Sequence, residues 1–321
     1  MKAIRFEAAG GPEVMQLVDV DIGKPGPGEA RVRHTVIGVN FIDTYHRSGL
    51  YPMPLPAGLG VEAAGVVEAV GEGVSHVLPG DRIVYFSNST GGYATHRVLE
   101  ARWLVKLPDA IDDEAAAALW LKACTAEFLV ERCARVKAGD TVLVQAAAGG
   151  VGVLLCQWLK SSGATVIGTV GSAQKTGIAR DAGCDHVLAY ADVPAGVREL
   201  TGGAGVDVVV DGVGKSTFEA SLDSLRRRGL LISYGNASGP VGLVDFGILA
   251  RKGSLFATRP TLFDYYASPE DFAAGSRAVF EKIAQGVLKP HIGQTFALAD
   301  VVKCHQALEA RQTIGASLLL P

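Results

Sequence analysis

The chain has 321 residues, of which 48% are hydrophobic and 20% are charged, so it holds enough apolar material for packed cores and is not disordered in composition. At roughly 150 residues per domain, this length predicts two domains or one large one. The formal net charge of −3 gives no reason to expect nucleic acid as the main partner. No stretch reaches about 18 uninterrupted apolar residues, so no membrane span is expected.

The cysteine content points to a reducing compartment. Five cysteines are present, and an odd number without paired spacing does not resemble a disulfide framework. The first residues lack the apolar run of a signal peptide. We therefore expect a cytoplasmic protein with reduced thiols.

The first third of the chain reads as short strands separated by Gly and Pro. Alternating or apolar runs at 30–39, 63–70, 81–85 and 93–99 are each bounded by such residues. This pattern is typical of a partly open antiparallel barrel or sandwich. A helix-forming, alanine-rich stretch follows within 112–135, and acidic residues begin it, where the helix dipole favours them.

From Asp140 onward, strands alternate with helices, which predicts a parallel sheet wound on both faces. The predicted strands are 141–145, 165–169, 186–189, 206–211, 229–234 and 254–258, and the helices between the first five are 151–161, 173–182, 193–200 and 216–225. This gives a six-stranded, doubly wound α/β domain of the Rossmann type.

The tail contains a predicted helix near 269–285 and a short strand at 316–320. These are too few strands to fold alone, so we expect the tail to return to the N-terminal part. The predicted organisation is a discontinuous catalytic domain, 1–124 with 262–321, into which a nucleotide-binding domain, 125–261, is inserted.

A dinucleotide fingerprint follows the first strand of the α/β region. Its three glycine positions are occupied by Ala147, Gly149 and Gly152. Gly149 lets the backbone approach a pyrophosphate, Gly152 lets the helix pack closely on the sheet, and the helix N-terminus faces the phosphates. The alternative is a tight turn that binds no dinucleotide, but the strand, turn, helix and following βα units favour the binding site.

The end of the second strand predicts NADP rather than NAD. An NAD site usually has an acidic residue there to bind the ribose hydroxyls. Here Gly171 makes room, and Ser172 and Lys175 can donate hydrogen bonds to a 2′-phosphate, which a carboxylate would repel. The alternative for Lys175 is a solvated surface lysine.

The chain resembles a known family over essentially its whole length. The stretch 139–160, with Ala147-Ala148-Gly149-Gly150-Val151-Gly152, is similar to the signature of the quinone oxidoreductase and zeta-crystallin branch of the medium-chain dehydrogenases/reductases. The stretches 38–51, 58–65, 169–175, 234–236 and 258–260 resemble the same branch.

This resemblance implies a GroES-like β-rich catalytic domain, a six-stranded Rossmann domain, NADPH as cofactor and a homodimer. It also implies a set of cofactor-binding residues, of which Tyr190 and Arg311 rest on the resemblance alone. The implied set is Asn40, Tyr45, Thr125, Ala148, Gly149, Gly150, Val151, Gly152, Gly171, Ser172, Lys175, Tyr190, Gly235, Asn236, Arg259 and Arg311.

No metal site is expected. The zinc-dependent relatives carry a catalytic cysteine and a histidine where this chain has Asn40 and Val61, and the scattered cysteines offer no ligand cluster. Without a Lewis acid, the acceptor must already be electrophilic, as quinones and conjugated enones are.

Three residues are candidates for the reaction itself. Tyr45 could donate a hydrogen bond to the acceptor oxygen, Asn40 could fix the nicotinamide ribose or the acceptor, and Tyr51 could form a wall of the site. For both tyrosines the alternative is a packed aromatic ring with a satisfied hydroxyl. Solvent can protonate a hydroquinone anion, so we expect Tyr45 to position reactants rather than to transfer a proton.

These features predict an NADPH:quinone oxidoreductase acting on a small-molecule quinone or conjugated carbonyl. An NADPH-dependent alkenal or enone double-bond reductase is the alternative within enzymes. An NADPH-binding structural or RNA-binding protein, like some crystallins, is the alternative from another class; the acidic charge and the lack of a basic, aromatic motif weigh against it.

Overall fold

A computed structural model describes residues 1–321, which form sixteen β-strands and ten α-helices. The strands are β1 (Lys2–Phe6), β2 (Gln16–Asp19), β3 (Glu29–Val39), β4 (Ala57–Gly58), β5 (Glu62–Val70), β6 (Arg82–Phe86), β7 (His96–Glu100), β8 (Leu104–Lys106), β9 (Thr141–Val144), β10 (Thr165–Val170), β11 (His186–Ala189), β12 (Val206–Asp211), β13 (Leu225–Ser233), β14 (Phe256–Thr258), β15 (Ile292–Ala297) and β16 (Ala316–Leu320).

The helices vary from one turn to four. They are α1 (Phe41–Ser48), α2 (Asp113–Glu127), α3 (Gly150–Ser161), α4 (Thr176–Asp181), α5 (Ala195–Leu200), α6 (Phe218–Ser224), α7 (Gly247–Arg251), α8 (Leu262–Tyr265), α9 (Pro269–Ala284) and α10 (Val301–Glu309). A π-helical segment, Phe128–Ala134, continues α2. None of the helices is both long and apolar enough to span a bilayer.

The first compact unit comprises Met1–Leu121 and Pro290–Pro321. Its larger sheet has the order β15-β16-β3-β5-β6-β8, with β7 also pairing with β3, and its smaller sheet has the order β2-β1-β4. The long strand β3 is mostly buried along its length and pairs antiparallel with β5, β7 and β16. The C-terminal strand β16 therefore completes a sheet that begins with the N-terminal third of the chain.

The second unit, Lys122–Lys289, contains one parallel sheet of six strands in the order β11-β10-β9-β12-β13-β14. Apolar strands and helices form its core, in which Leu143, Ile167, Val209 and Leu231 are almost fully buried. These strands are parallel, so the carboxyl ends of β9, β10, β12 and β13 lie along one edge of the sheet, and the strand order reverses at β9. The predicted six-stranded, doubly wound sheet is confirmed.

The second unit extends further along the chain than the predicted 125–261. The helix α9 and the segment before it lie with this unit, and hydrogen bonds explain why. Tyr266 donates to Glu127 Oε2 at 2.8 Å, Arg132 donates to the Tyr265 carbonyl at 2.6 Å, and Lys282 donates to Ser161 at 2.9 Å. These contacts join residues far apart in sequence, so local pattern could not place the boundary.

One predicted element boundary is wrong. The sequence predicts a helix to 225 and a strand from 229, with the three arginines at 226–228 between them. In the structure the strand begins at Leu225, and the three arginines are exposed residues near its start, where the pairing with β12 is irregular. Arg226 pairs with Asp207 on the neighbouring strand at 2.5 Å, whereas Arg228 has a left-handed φ of 59°.

Candidate active site

The turn between β9 and α3 is shaped by two glycines. Gly149 precedes the first helical residue and offers no side-chain cap, and its N–H donates to the Ala146 carbonyl at 2.9 Å. A Cβ added to Gly152 would lie 2.2 Å from that same carbonyl oxygen, so only glycine fits there. Ala146 itself has a left-handed φ of 56°. The chain therefore turns sharply and points the start of α3 out of the sheet edge.

Hydrogen bonds from neighbouring strands hold this turn. Thr169 of β10 accepts a hydrogen bond from the Ala146 N–H at 3.1 Å through its hydroxyl and from the Ala147 N–H at 2.9 Å through its carbonyl. The same hydroxyl donates to Gln145 Oε1 at 2.7 Å, and Gln145 donates to Ser221 at 3.0 Å. All three side chains are buried. The turn is thus preorganised by β10 and α6.

The N-terminal turn of α3 has the properties of an anion site. The first N–H groups of any helix have no partner within the helix, and the helix dipole is positive at this end. Gly149, Gly150 and Val151 are partly exposed, whereas Ala148 is buried and Gly152 packs on the turn. The free N–H groups and the positive end of the dipole could therefore hold a pyrophosphate.

A second group of predicted residues lies at the ends of β10 and β11. The register pairs Val170 with Ala189, so Gly171 and Tyr190, which follow them, leave the sheet side by side. A Cβ on Gly171 would be 3.7 Å from the Tyr190 ring. Ser172 is exposed, and its carbonyl accepts from the N–H of the half-buried Lys175 at 3.1 Å. The structure therefore brings Gly171, Ser172 and Lys175, which the sequence predicts to bind a 2′-phosphate, close to Tyr190, which rests on the family resemblance.

A third group follows β13 and β14, which also run parallel. Arg259 donates to the carbonyls of Ser233 at 2.8 Å and Gly235 at 3.0 Å, and its second amino group donates to the Asn236 side-chain oxygen at 3.0 Å. A Cβ on Gly235 would lie 2.3 Å from the Gly212 carbonyl, so this loop also needs glycine. Arg259 thereby fixes Gly235 and Asn236, which the family resemblance places among the cofactor-binding residues.

Thr125 and Arg311 belong to different units of the chain. Thr125 is buried near the C-terminal end of α2, in the second unit. Arg311 is exposed, follows α10 in the first unit and has a left-handed φ of 58°.

In the first unit, Asn40 is fixed by two carboxylates. It begins α1 in a capping box, in which its backbone N–H donates to Asp43 Oδ2 at 2.9 Å. Its side-chain amide donates to Glu62 Oε2 at 2.8 Å, and the other oxygen of Glu62 accepts from the Leu121 N–H at 2.6 Å. Asn40 and Glu62 are both buried. The amide of Asn40 therefore has one set orientation, as a positioning group needs.

The two candidate tyrosines form one aromatic cluster. Tyr45, on α1, is buried, and its ring meets the Tyr51 ring edge-on at 5.2 Å between centroids. The Phe41 ring also contacts Tyr45, with 5.9 Å between the ring centroids. The Tyr51 N–H also donates to the Tyr45 carbonyl at 3.1 Å. The structure thus places Asn40, Tyr45 and Tyr51 on one helix and the loop after it.

A buried polar chain behind α1 was not predicted from the sequence. Tyr93 donates to Asp43 Oδ2 at 2.8 Å and lies 3.1 Å from His305 Nε2. Arg47, of which 1% of the side chain is exposed, lies 3.1 Å from His305 Nδ1 and pairs with Glu309 at 2.6 Å. This chain ties α1 to α10, and it joins residues that are more than 200 positions apart.

Two family descriptions match the chain: "Alcohol dehydrogenase GroES-like domain" over residues 26–109 and "Zinc-binding dehydrogenase" over residues 150–274. A quinone oxidoreductase of Salmonella typhimurium is 50% identical, covering 99% of both chains. The solved structure of Escherichia coli quinone oxidoreductase complexed with NADPH has a TM-score of 0.98 and 46% identity, covering 100% of both chains. The chain belongs to the quinone oxidoreductase family of the medium-chain dehydrogenases/reductases. A 2-haloacrylate reductase of Burkholderia sp. is also similar, with 44% identity covering 97% of this chain and 96% of that protein. The predicted GroES-like domain and Rossmann domain are confirmed with the family.

This member of the quinone oxidoreductase family does not present zinc ligands at the positions where zinc-dependent relatives do. The Asn40 amide is bonded to Glu62, and Val61 is apolar and 1% exposed. No group of three or more His, Cys, Asp or Glu side chains is arranged to hold a metal ion.

The buried histidines of this family member make its stability depend on pH. Burial lowers the pKa of His305 to about 3, with the Arg47 charge adding to the effect, and burial lowers the pKa of His34 to about 3 as well. Both groups titrate near 6.5 in an unfolded chain, so between pH 6.5 and about 3 the unfolded state binds more protons than the folded state. Their contribution to stability is complete above pH 6.5 and is lost as the pH falls towards 3.

We expect the free energy of unfolding to fall by roughly 1.4 kcal/mol per pH unit for each of these two histidines below about pH 6. A His305→Gln variant should have a shallower slope between pH 6 and 5, measured by urea unfolding, because one proton uptake is removed. The exposed His291 provides the control, since His291→Gln should keep the wild-type slope. An unchanged slope in His305→Gln would contradict a neutral, buried His305.

Proposed function

We propose that this protein is an NADPH:quinone oxidoreductase that reduces a small-molecule quinone without a metal. The observation that carries the proposal is the full-length identity of 50% to a quinone oxidoreductase, in a chain whose sheet edge fits a phosphorylated dinucleotide. A carboxamide and a buried valine, rather than zinc ligands, occupy Asn40 and Val61. The acceptor must therefore be electrophilic by itself.

The cofactor is NADPH, which supplies a hydride when it is bound. The α3 N-terminus would hold its pyrophosphate, Gly171, Ser172, Lys175 and Tyr190 would surround the 2′-phosphate, and the segment fixed by Arg259 would line the nicotinamide end. The remaining proposed contacts are Asn40, Tyr45, Thr125, Ala148, Gly149, Gly150, Val151, Gly152, Gly235, Asn236 and Arg311. The absence of a carboxylate from 171–175 supports the preference for the phosphorylated cofactor.

The acceptor would be oriented by residues of α1 and the loop after it. Asn40, held by Glu62, would present its amide in one orientation, and Tyr45 would direct its hydroxyl to the acceptor oxygen. Tyr51 packs against Tyr45 and would exclude water from the acceptor ring. The oxygen of a hydroquinone anion is basic enough to take its proton from solvent, so these residues position the reactants.

A Tyr45→Phe variant tests this role. Removing one hydroxyl that bonds the acceptor oxygen costs about 0.5–1.5 kcal/mol, so kcat/KM for the quinone should fall up to about tenfold. The phenyl ring preserves the contact with Tyr51, so the urea midpoint should not change. Steady-state kinetics at saturating NADPH measure the effect.

Tyr51→Phe is the matched control, because it removes a hydroxyl from the same aromatic cluster without touching the proposed acceptor contact. Its kcat/KM should stay within about twofold of the wild type. Unchanged kcat and KM in Tyr45→Phe would show that Tyr45 is only a packed aromatic residue.

The activity itself is tested by following NADPH oxidation through the dihydronicotinamide absorbance, with 1,4-benzoquinone as acceptor and NADH as the control reductant. Rapid turnover with NADPH and slow turnover with NADH support the proposal. NADPH binding without turnover of any acceptor would contradict it.

The second candidate function is reduction of a conjugated double bond. The similarity to a 2-haloacrylate reductase, with 44% identity, favours it. An alkenal and a 2-haloacrylate in the same NADPH assay separate the two functions, because a quinone reductase should turn over benzoquinone at least about tenfold faster than either.

We also propose that the protein is a homodimer formed by edge pairing of the strand within 254–258. This strand, β14, is the last of the six-stranded sheet and has no neighbour on its outer side within the chain, and Phe256 on it is 62% exposed. An apolar, unpaired edge is a liability that a second copy would cover. A monomeric mass in light scattering would contradict the dimer.

A cytoplasmic location belongs to the same proposal. All five cysteines are free thiols, and four of them are buried, including Cys156 and Cys184, whose sulfurs are 3.3 Å apart. A reducing compartment keeps such a pair unlinked. Fractionation of cells that produce the protein tests the location.

A further inference from the structure

The first unit contains a cavity of about 370 Å³ that the proposed reaction does not use. It is lined by β1, by the segment after β2, by β4, by the loop before β7 and by β7 itself. None of the residues proposed to contact NADPH or the quinone lines it. The cavity is therefore a separate feature of the catalytic domain.

The cavity contains a buried guanidinium without a carboxylate partner. Arg97 lines it and is 6% exposed. The hydrogen-bond partners of Arg97 are neutral oxygens: the Tyr85 hydroxyl at 3.3 Å, the Ser89 carbonyl and hydroxyl at 2.9 and 2.8 Å, and the Thr90 carbonyl at 3.1 Å. Burying a charge without an opposite charge is costly, and a bound anion would offset that cost.

A second guanidinium and two glycines complete the same wall. Arg5 also lines the cavity and forms no ion pair. A Cβ on Gly58 would lie 3.2 Å from Arg5 Nη1 and 3.2 Å from the Gly91 Cα, and a Cβ on Gly91 would lie 3.5 Å from Arg97 Nε. Arg5 therefore lies beside Gly58 and Arg97 beside Gly91, and the two glycines are neighbours. Because glycine has no side chain, the nitrogens of both arginines are open to a ligand at this wall.

The rest of the lining sets the class of ligand. Ile4, Val20 and Ile22 give the cavity an apolar side, which suits a carbon skeleton. Asp21 also lines it, so the formal charges of two arginines and one aspartate leave one net positive charge. That balance suits a monoanion better than a dianion.

We propose that this cavity is a binding site for a small organic monocarboxylate with an apolar body. The carboxylate is held by Arg97 and Arg5 beside Gly58 and Gly91, and the apolar body lies against the isoleucine and valine side chains. Guanidinium groups bind carboxylates through paired, charge-assisted hydrogen bonds, so the two arginines supply most of the selectivity.

Benzoate is the probe, titrated into the full chain by isothermal calorimetry with and without NADPH. We expect saturable binding at one site in both cases. Arg5→Gln, at an exposed side chain, should weaken binding at least about tenfold without affecting the fold, and Arg97→Lys should weaken it because one point charge replaces the planar fork. Arg277→Gln, at an exposed arginine of the other unit, is the control and should bind like the wild type.

Four outcomes would overturn the proposal. The first is no benzoate binding, and the second is equal affinity in Arg5→Gln and the wild type. The third is displacement of benzoate by the quinone, which would place it in the reaction site. Tighter binding of inorganic phosphate than of benzoate would also contradict a monocarboxylate site. Because calorimetry needs no turnover, these results are independent of whether the protein reduces quinones.

Discussion

Replacing Lys175 with glutamate is expected to abolish the preference of the enzyme for NADPH over NADH. Lys175 ends the short 3₁₀ segment after β10, beside Ser172 and close to the point where Tyr190 covers Gly171. The variant loses a charge-assisted hydrogen bond to the 2′-phosphate, worth about 1.5–3 kcal/mol, and adds repulsion between two negative charges. The ratio of kcat/KM for NADPH to that for NADH should therefore fall at least about 100-fold.

Most of this change should come from NADPH. NADH has ribose hydroxyls at this position, and a carboxylate can accept hydrogen bonds from them, so its kcat/KM should be unchanged or higher. Lys137→Glu is the matched control, because Lys137 is an exposed lysine that precedes β9 and so lies at the opposite edge of the sheet. That variant should keep the wild-type ratio. A Lys175→Glu variant that still prefers NADPH would mean that Lys175 is a solvated surface residue.

The fold of the second unit was predictable because its signals are local. Apolar strands and amphipathic helices alternate, and each strand from β9 to β14 was found at its predicted place within a few residues. The error at 225–229 has a physical cause: three consecutive arginines do not resemble a strand, and the ion pair of Arg226 with Asp207 on the neighbouring strand forms only in the folded sheet. The pattern of the chain could not show that partner.

The site was predictable to the extent that its residues follow strands. Gly149, Gly171 and Gly235 each come directly after a strand or its turn, and parallel strands bring their carboxyl ends to one edge. Arg259 was assigned to the site through the family resemblance. In the structure it donates hydrogen bonds to the carbonyls of Ser233 and Gly235 and so holds the loop after β13. The register between two neighbouring strands depends on both strands, so the contacts between site residues on different strands could not be predicted from the sequence of either one.

The hydrogen bonds of the buried polar residues in the first unit could not be predicted from sequence patterns. Glu62 was visible in the motif 58–65, but its hydrogen bond to Asn40 depends on how β5 lies against the start of α1. His305 has no local partner at all, and its contacts to Arg47 and Tyr93 form only when α10 packs in the first unit. The capping box of Asn40 and Asp43 at the start of α1 could have been predicted, because the two residues are only three positions apart.

Replacing Gly152 with alanine is expected to weaken NADPH binding strongly. The added Cβ would lie 2.2 Å from the Ala146 carbonyl oxygen and 2.9 Å from the Ala147 backbone, and none of these atoms can move without opening the turn that Thr169 holds. Overpacking of this kind costs about 1–3 kcal/mol or more of stability, which outweighs the gain in helix propensity. Displacing the start of α3 also misdirects the N–H groups proposed to bind the pyrophosphate, so NADPH affinity should fall at least about 100-fold.

The same substitution at Gly177 separates the clash from the general effect of alanine in a helix. Gly177 lies in α4 of the same unit, and a Cβ there would meet no atom within 4 Å. Gly177→Ala should therefore stabilise the protein by about 0.5–1 kcal/mol in urea unfolding and leave the NADPH dissociation constant unchanged. Two variants with equal affinity and equal urea midpoints would show that the glycine at 152 is not needed for the turn. A higher NADPH dissociation constant in Gly152→Ala alone would show that cofactor binding depends on the close approach of residue 152 to the Ala146 carbonyl.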